Sequence, residues 1–315
     1  MLFSTQVSPA SPPKKPAFDT EAVYNPNQPE IGPGAQGPGV VRAQILLARA
    51  HFSCGEIDGD FGSNLQKTVA AYQADRHLSV SGGVDAATWT SLNADQVLPL
   101  TPYTITADDE KGPFIGKVPP EMMQQAKLPS MGYTSPLQEL SARFHASPRL
   151  MQLLNPGADF TKVGQELTVP NVFVESPGPA AEVDVSKSDS SVRAIGPDGK
   201  LLAYYSATIG SEHDPLPVGA WKITGTKHDP VFHYDPNLFW NAKSTDKKTD
   251  IQAGPNNPVG LVWIDLSKEH YGIHGTPDPS LIGHAFSHGC IRLTNWDALE
   301  LASMVKPGTP AILKE

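Results

Sequence analysis

From Glu182 onward the chain is written in short runs rich in Val, Ile and aromatic residues, each closed by Gly, Pro or Asp. Glu182-Val183-Asp184-Val185 alternates in polarity, Val192-Arg193-Ala194-Ile195 follows, and Gly196-Pro197-Asp198-Gly199 supplies a turn. Residues 201–209 form a further run closed by Gly210, and Trp221-Lys222-Ile223-Thr224, Gly260-Leu261-Val262-Trp263-Ile264 and Tyr271-Gly272-Ile273-His274 continue the series. Short β-like runs broken by turn formers at close intervals predict an all-β sandwich or barrel. A single helix is expected in this region, beginning near Asn295 and carrying Leu299, Leu301, Met304 and Val305. Residues 232–258 read as a polar loop rich in Asn, Asp and Lys, long enough to cover a groove.

The text upstream is different. Residues 1–37 are rich in Pro, Gly, Asn and Ser and cannot order themselves alone. Within 38–96, Val41, Ile45, Leu46 and Ala50 recur at helical spacing. Val69, Tyr72 and Gln73 mark a second helix, and Thr88, Trp89, Leu92 and Asn93 a third. Between the first two, Ile57-Asp58-Gly59-Asp60-Phe61-Gly62 reads as a tight loop anchored by Phe61. In 100–172, Tyr103-Thr104-Ile105-Thr106 and Leu167-Thr168-Val169-Pro170 read as strands that bracket two helices, marked by Leu137, Leu140 and Phe144 and by residues 150–154. A Lys/Gly/Pro-rich insertion separates the first strand from the first helix. The whole is therefore expected to be multidomain: a small all-α bundle, a small α+β module and a mainly-β domain over 180–315.

Composition narrows the function classes. The 315 residues carry a formal net charge of -9, with Lys and Arg scattered, so no electropositive face for nucleic acid is expected. No apolar run reaches the roughly 18 residues a membrane-spanning helix needs. The opening MLFSTQVSPA lacks the basic start and apolar stretch of a complete signal peptide. The two cysteines, Cys54 and Cys290, are expected to remain thiols, Cys54 as a half-buried apolar residue.

Cys290 is the candidate nucleophile. It lies in Ser287-His288-Gly289-Cys290-Ile291-Arg292-Leu293, sixteen residues after His274. A thiol is only a few per cent ionised near neutrality and needs an imidazole to take its proton. His274, at the end of a strand, is the candidate base, and the Gly275 carbonyl is a candidate acceptor to hold its other nitrogen. His288 is two residues from Cys290, on the same side of an extended segment, and can donate in the site or shape the loop. Backbone N–H groups of Gly289 and Cys290 are candidate oxyanion donors. Arg292 can grip a carboxylate in bidentate fashion, and Ser287 can contribute a hydroxyl or close a turn. Two other readings fit the same residues: a structural cysteine between core histidines, and a zinc site of His274, His288 and Cys290 with His284 as a fourth ligand.

Three stretches resemble known families. Residues 38–95, through Gly55-Glu56-Ile57-Asp58-Gly59-Asp60-Phe61-Gly62, Thr68-Val69-Ala70-Ala71-Tyr72-Gln73, Gly83-Val84-Asp85 and Thr88-Trp89, resemble the three-helix peptidoglycan-binding domain. Ser147-Pro148-Arg149-Leu150-Met151-Gln152-Leu153-Leu154-Asn155-Pro156 with Gly164-Gln165-Glu166-Leu167-Thr168-Val169-Pro170 resembles a LysM domain, here carrying the insertion. Residues 180–314, through Pro217-Val218-Gly219 with Trp221, Ile273-His274-Gly275-Thr276 and the Cys290 motif followed by Asn295 and Asp297, resemble the L,D-transpeptidase catalytic domain of the YkuD type. That resemblance implies a β-sandwich in which Cys290 attacks a peptidoglycan tetrapeptide stem after its third residue, His274 is the base, and His288 and Gly289 belong to the site. Arg292, Ser287 and Thr276 become candidate substrate-binding residues. The acyl-enzyme would pass to an amine on a neighbouring stem as a 3→3 crosslink, with hydrolysis or catalytically silent wall binding as alternatives. No cofactor or metal is expected, since the thiolate supplies the nucleophile and backbone dipoles the electrophilic assistance; the resemblance implies stem peptides and glycan strands as partners, acylation by carbapenem-type β-lactams, and an extracytoplasmic location.

Overall fold

The computed structural model describes residues 18–211, 213–240, 242–284 and 289–315. The first unit holds α1 (Pro38–Arg49), β1 (Phe52–Ser53), α2 (Ser63–Asp75) and α3 (Ala86–Leu92). Then come β2 (Leu100–Thr104), α4 (Ala107–Lys111), α5 (Met122–Gln125), α6 (Pro136–Arg143), α7 (Pro148–Leu154) and β3 (Glu166–Pro170). The remaining strands are β4 (Glu182–Ser186), β5 (Ser191–Ile195), β6 (Leu201–Ser206), β7 (Thr208–Ile209), β8 (Gly219–His228), β9 (Phe232–Tyr234) and β10 (Thr249–Ile251). They continue as β11 (Val262–Leu266), β12 (Gly272–His274), β13 (Ile291–Arg292) and, after α8 (Asn295–Met304), β14 (Pro310–Lys314). No helix among the described residues is long and apolar enough to cross a membrane.

Strand β8 joins the two layers of the β domain. Its first half, Gly219–Lys222, pairs with β14, and its second half, Ile223–His228, with β11. One layer therefore runs β6-β5-β4-β14-β8 and the other β8-β11-β12-β13-β7. Between them lies one apolar core of inward-facing Val, Ile and Leu with α8. The single run expected over 201–209 is interrupted at Ala207, so β6 and β7 join opposite layers. The expected polar loop over 232–258 contains an antiparallel hairpin, β9 with β10.

The upstream units are built into this body. Helix α1 buries two faces: Val41 and Ile45 enter one apolar cluster, and Val40, Ala43, Leu46 and Leu47 another. The helical spacing predicts a single apolar stripe, and the second face escapes it because Arg42 and Gln44 interrupt the pattern. Both are buried, and both are satisfied. Arg42 donates to Asn93 Oδ1 at 2.7 Å and to the Val23 carbonyl, while Gln44 donates to Asp58 Oδ1. Strand β1 then adds itself in parallel to β6, Phe52 opposite Tyr204, and Phe52 packs with Tyr72 and Tyr204. Cys54, expected half-buried, is buried.

Strands β2 and β3 form an antiparallel pair, with α6 and α7 between them in the chain. This strand-helix-helix-strand unit has no separate core. Leu100, Leu140, Phe144, Leu150 and Val169 share one cluster with Val41, Ile45 and Ile57 of the first unit. The expectation of a self-contained third module is corrected accordingly: its apolar face is completed by α1.

All three units meet on α8. Ser53 Oγ donates to Asp297 Oδ2 at 2.9 Å, His51 Nδ1 lies 2.7 Å from Glu300 Oε1, and the His145 ring stacks on Trp296. Burial, with Glu300 nearby, pushes the Asp297 carboxyl up to about 8 against the hydrogen bonds from Thr294 and Ser53. The folded state thus binds this proton more tightly than the unfolded chain. Stability from the protonated carboxyl is fully present below the ordinary value near 4 and is lost as pH rises to about 8. Asp297→Asn is expected to flatten the fall in Tm between pH 5 and pH 9; an unchanged pH slope would show that Asp297 does not titrate in that window.

Candidate functional site

Strands β12 and β13 are neighbours and parallel, with Ile273 opposite Ile291 and His274 opposite Arg292. That register sets Cys290, the residue entering β13, beside Gly272 and puts the thiol and the imidazole on adjoining strands. Cys290 Sγ lies 3.9 Å from the His270 carbonyl and is half-buried. Neither Cys290 nor Cys54 forms a disulfide.

His274 is 3 % exposed. Its Nδ1 is 2.6 Å from the Gly275 carbonyl, which can only accept, so Nδ1 carries the proton and Nε2 keeps a lone pair. Trp263, opposite His274 on β11, stacks on the ring at 5.3 Å and 14°. Gly275 contributes through this carbonyl, because its own N–H is spent on the Val262 carbonyl. A side chain at Gly275 would run into the Asn295 amide, whose Oδ1 accepts from Leu261 N and whose Nδ2 donates to the Pro255 carbonyl. Gly289 has φ +92°, and a Cβ there would meet the Tyr271 ring at 2.8 Å. Both features demand glycine.

Electrostatics favour a neutral resting pair. Burial, then the Arg292 charge, hold the imidazole down at about 3 despite the Gly275 hydrogen bond. A shift of that size disfavours the imidazolium by on the order of 5 kcal/mol relative to water. Burial likewise pushes the Cys290 thiol up, although the Gly272 backbone and Arg292 pull the other way. The arrangement is a thiol and an imidazole on adjoining strands, each favoured in its neutral form.

Arg292 points its guanidinium at the same space, and its buried Nε finds no acceptor among the described residues. A buried donor left without a partner costs about 1–3 kcal/mol, which a bound anion would offset. Thr276 is buried, and its hydroxyl accepts from Asp278 N at 3.3 Å, closing a turn. His284 is exposed, and Ser287 and His288 lie outside the described residues. Among the described residues no group of three or more His, Cys, Asp and Glu converges as metal ligands would.

Cys290, His274 and Arg292 open into a cavity of about 1030 Å³. The 232–258 segment lines it through Phe232, Tyr234 and Phe239. Trp263, Tyr271 and Asn295 also shape the site, although no local sequence pattern marks them for that role. The first two were legible as strand residues only, since their roles depend on which residue lies opposite them. Alkylation of Cys290 is expected to rise along a single limb centred above the usual thiol range; a plateau extending below pH 7 would reveal a preformed ion pair.

Comparison with known proteins matches two stretches of the chain. Residues 180–313 match the L,D-transpeptidase catalytic domain, YkuD, and residues 36–92 a peptidoglycan binding domain. A Bacillus licheniformis protein named L,D-transpeptidase YkuD is 32% identical over 175 residues, 55% of this chain and 90% of that protein. The Escherichia coli K12 L,D-transpeptidase ErfK/SrfK is 29% identical over 182 residues, 56% of this chain and 58% of that one. Among solved structures, L,D-transpeptidase 3 from Mycobacterium tuberculosis with a faropenem-derived adduct is 18% identical, with TM-score 0.36, covering 49% of this chain and 75% of that chain.

Proposed function

The chain belongs to the YkuD-type L,D-transpeptidase family, and we propose that it crosslinks peptidoglycan stem peptides 3→3 through a thioester on Cys290. The observation that carries the reading is the pairing of β12 with β13. It brings a half-buried thiol beside an imidazole whose Nδ1 is held by the Gly275 carbonyl, at the edge of a cavity wide enough for a peptide.

In this mechanism His274 Nε2 takes the thiol proton as Cys290 Sγ attacks the carbonyl of the third stem residue. We assign the N–H groups of Gly289 and Cys290 to the oxyanion, and His288 to the same site by the family motif. The imidazolium returns its proton to the departing amine of the fourth residue. Arg292, with its unpaired Nε, grips a substrate carboxylate. That anion also offsets the positive charge that disfavours the imidazolium, so substrate binding and proton transfer assist each other. Ser287 and Thr276 are assigned to substrate binding by the family motif, Thr276 through the turn that its hydroxyl closes. The chemistry is carried by the protein's own groups, with no cofactor or metal.

We divide the chain into residues 38–96, a peptidoglycan-binding-type domain; 100–172, a LysM-derived unit bearing an insertion; and 180–315, the catalytic domain. The strand-helix-helix-strand order around the β2–β3 pair supports the LysM reading. Glycan strands and stem peptides are the partners, and the periplasm or cell wall is the place of work, because the substrate lies there.

A carbapenem-type β-lactam is expected to give one covalent adduct by intact-protein mass, mapped to the Cys290 peptide and absent in Cys290→Ala. Adduct formation should persist in chelator. An adduct retained in Cys290→Ala, or none on folded wild type, would contradict the assignment.

A further inference from the structure

Strand β7 runs antiparallel to β13, with Ile209 opposite Ile291 and Thr208 opposite Arg292. The next residue, Gly210, therefore falls level with Cys290, and the connection from β7 to β8 leaves the sheet beside the thiol. Gly210 has φ +52°, and a Cβ there would meet the Leu216 backbone nitrogen at 2.9 Å. The turn that follows is pinned on both sides. Ser211 N donates to the Asp214 carbonyl and Asp214 N donates to Ser211 Oγ, each at 2.9 Å. Leu216 is buried in the core of the β domain, and the Pro217 carbonyl accepts from Trp221 Nε1 at 2.7 Å. The His213 ring packs on Trp240 of the 232–258 segment at 4.9 Å. Between these anchors, Asp214 joins the wall of the cavity that holds Cys290.

The Asp214 carboxylate differs from the others around that cavity. Glu121 meets Lys243, Asp246 accepts from Tyr234, Asp265 accepts from Thr224, and Glu269 lies beside His270. Asp214 Oδ2 is buried and finds no hydrogen-bond partner among the described residues. A buried acceptor left unmet is costly, and a cation brought by the substrate would meet it. The charge also reaches the reacting group. Behind burial, Asp214 helps to push up the Cys290 thiol and the Tyr271 phenol, whose ring lies against Gly289.

Transfer between like stems says what that cation is. A 3→3 crosslink joins the third-residue carbonyl of one stem to an amine carried on the third residue of the other. The acyl donor, being the same kind of stem, carries that amine too, on the residue whose carbonyl Cys290 attacks. We propose that Asp214 is a specificity-determining residue for the acyl donor, its carboxylate holding the side-chain ammonium of the third stem residue. The proposal rests on the transfer reaction described above. The ammonium also offsets the charge that opposes thiolate formation, so a donor bearing it is both held and attacked more readily.

The test compares two tetrapeptide donors that differ only in the third residue's side-chain amine, free in one and N-acetylated in the other. Acylation is read as the fourth residue released in the first turnover, over a range of donor concentrations. Wild type is expected to acylate about tenfold more efficiently with the free amine, and Asp214→Asn to bring the two donors within about twofold. Asp214→Glu, which keeps the charge, should restore part of the preference. A preference lost in Asp214→Asn and partly regained in Asp214→Glu supports the proposal, because a merely structural defect slows both donors alike. No preference in wild type, or one that survives in Asp214→Asn, overturns it with the Cys290 mechanism intact. So does an effect of Asp214→Asn confined to acceptor KM. Acylation by a β-lactam without an amine is followed in parallel, and its absence in wild type overturns that mechanism and the proposal together.

Discussion

The parallel pairing of three residues with two, Gly272–His274 against Ile291–Arg292, is the constraint on which the site depends. It sets sulfur and imidazole on adjoining strands. It also directs the segment after Arg292 into α8, whose N-terminal turn is capped by Thr294 and whose first residue, Asn295, buttresses the Gly275 backbone. A slip of one residue would turn the His274 side chain to the other face of the strand and lose both the Gly275 hydrogen bond and the Trp263 stack. The two-layer core around β8 is what makes such a slip costly, because Ile273 and Ile291 are both buried in it.

The upstream units extend that order outward. Strand β1 prolongs the layer through β6, and the contacts of Ser53, His51 and His145 converge on α8 immediately beyond the site. Polar contacts of this kind are short-ranged and set geometry more than they add stability. The apolar clusters supply the adhesion, with Tyr204 of β6 buried among the helices of the first unit. The modules therefore act as members of one scaffold rather than as beads on a string, and the insertion before α6 reaches the cavity itself.

How much of this was legible in the sequence follows from the range of each interaction. The β-like runs, the three upstream helices and the Cys290 and His274 motifs announce themselves through local pattern, and the Gly275 carbonyl is a neighbour of the imidazole in the chain. The two buried faces of α1 were hidden by Arg42 and Gln44, polar residues whose partners Asn93 and Asp58 are distant in sequence. The split at Ala207 could not be read either, since two strands of one apolar run look alike until they choose different layers. Trp263, Tyr271 and Asn295 act on the site only through cross-strand or loop contacts, which periodicity does not encode.

Everything proposed for the site turns on a cysteine-borne acyl group passed to an amine. Product mass spectrometry on a purified tetrapeptide-stem muropeptide, comparing wild type with Cys290→Ala, decides it. The mechanism predicts loss of the terminal stem residue together with a crosslinked dimer, both absent from the variant. Trimmed monomer with no dimer in the presence of excess acceptor would contradict transfer, and any product surviving in Cys290→Ala would contradict the nucleophile.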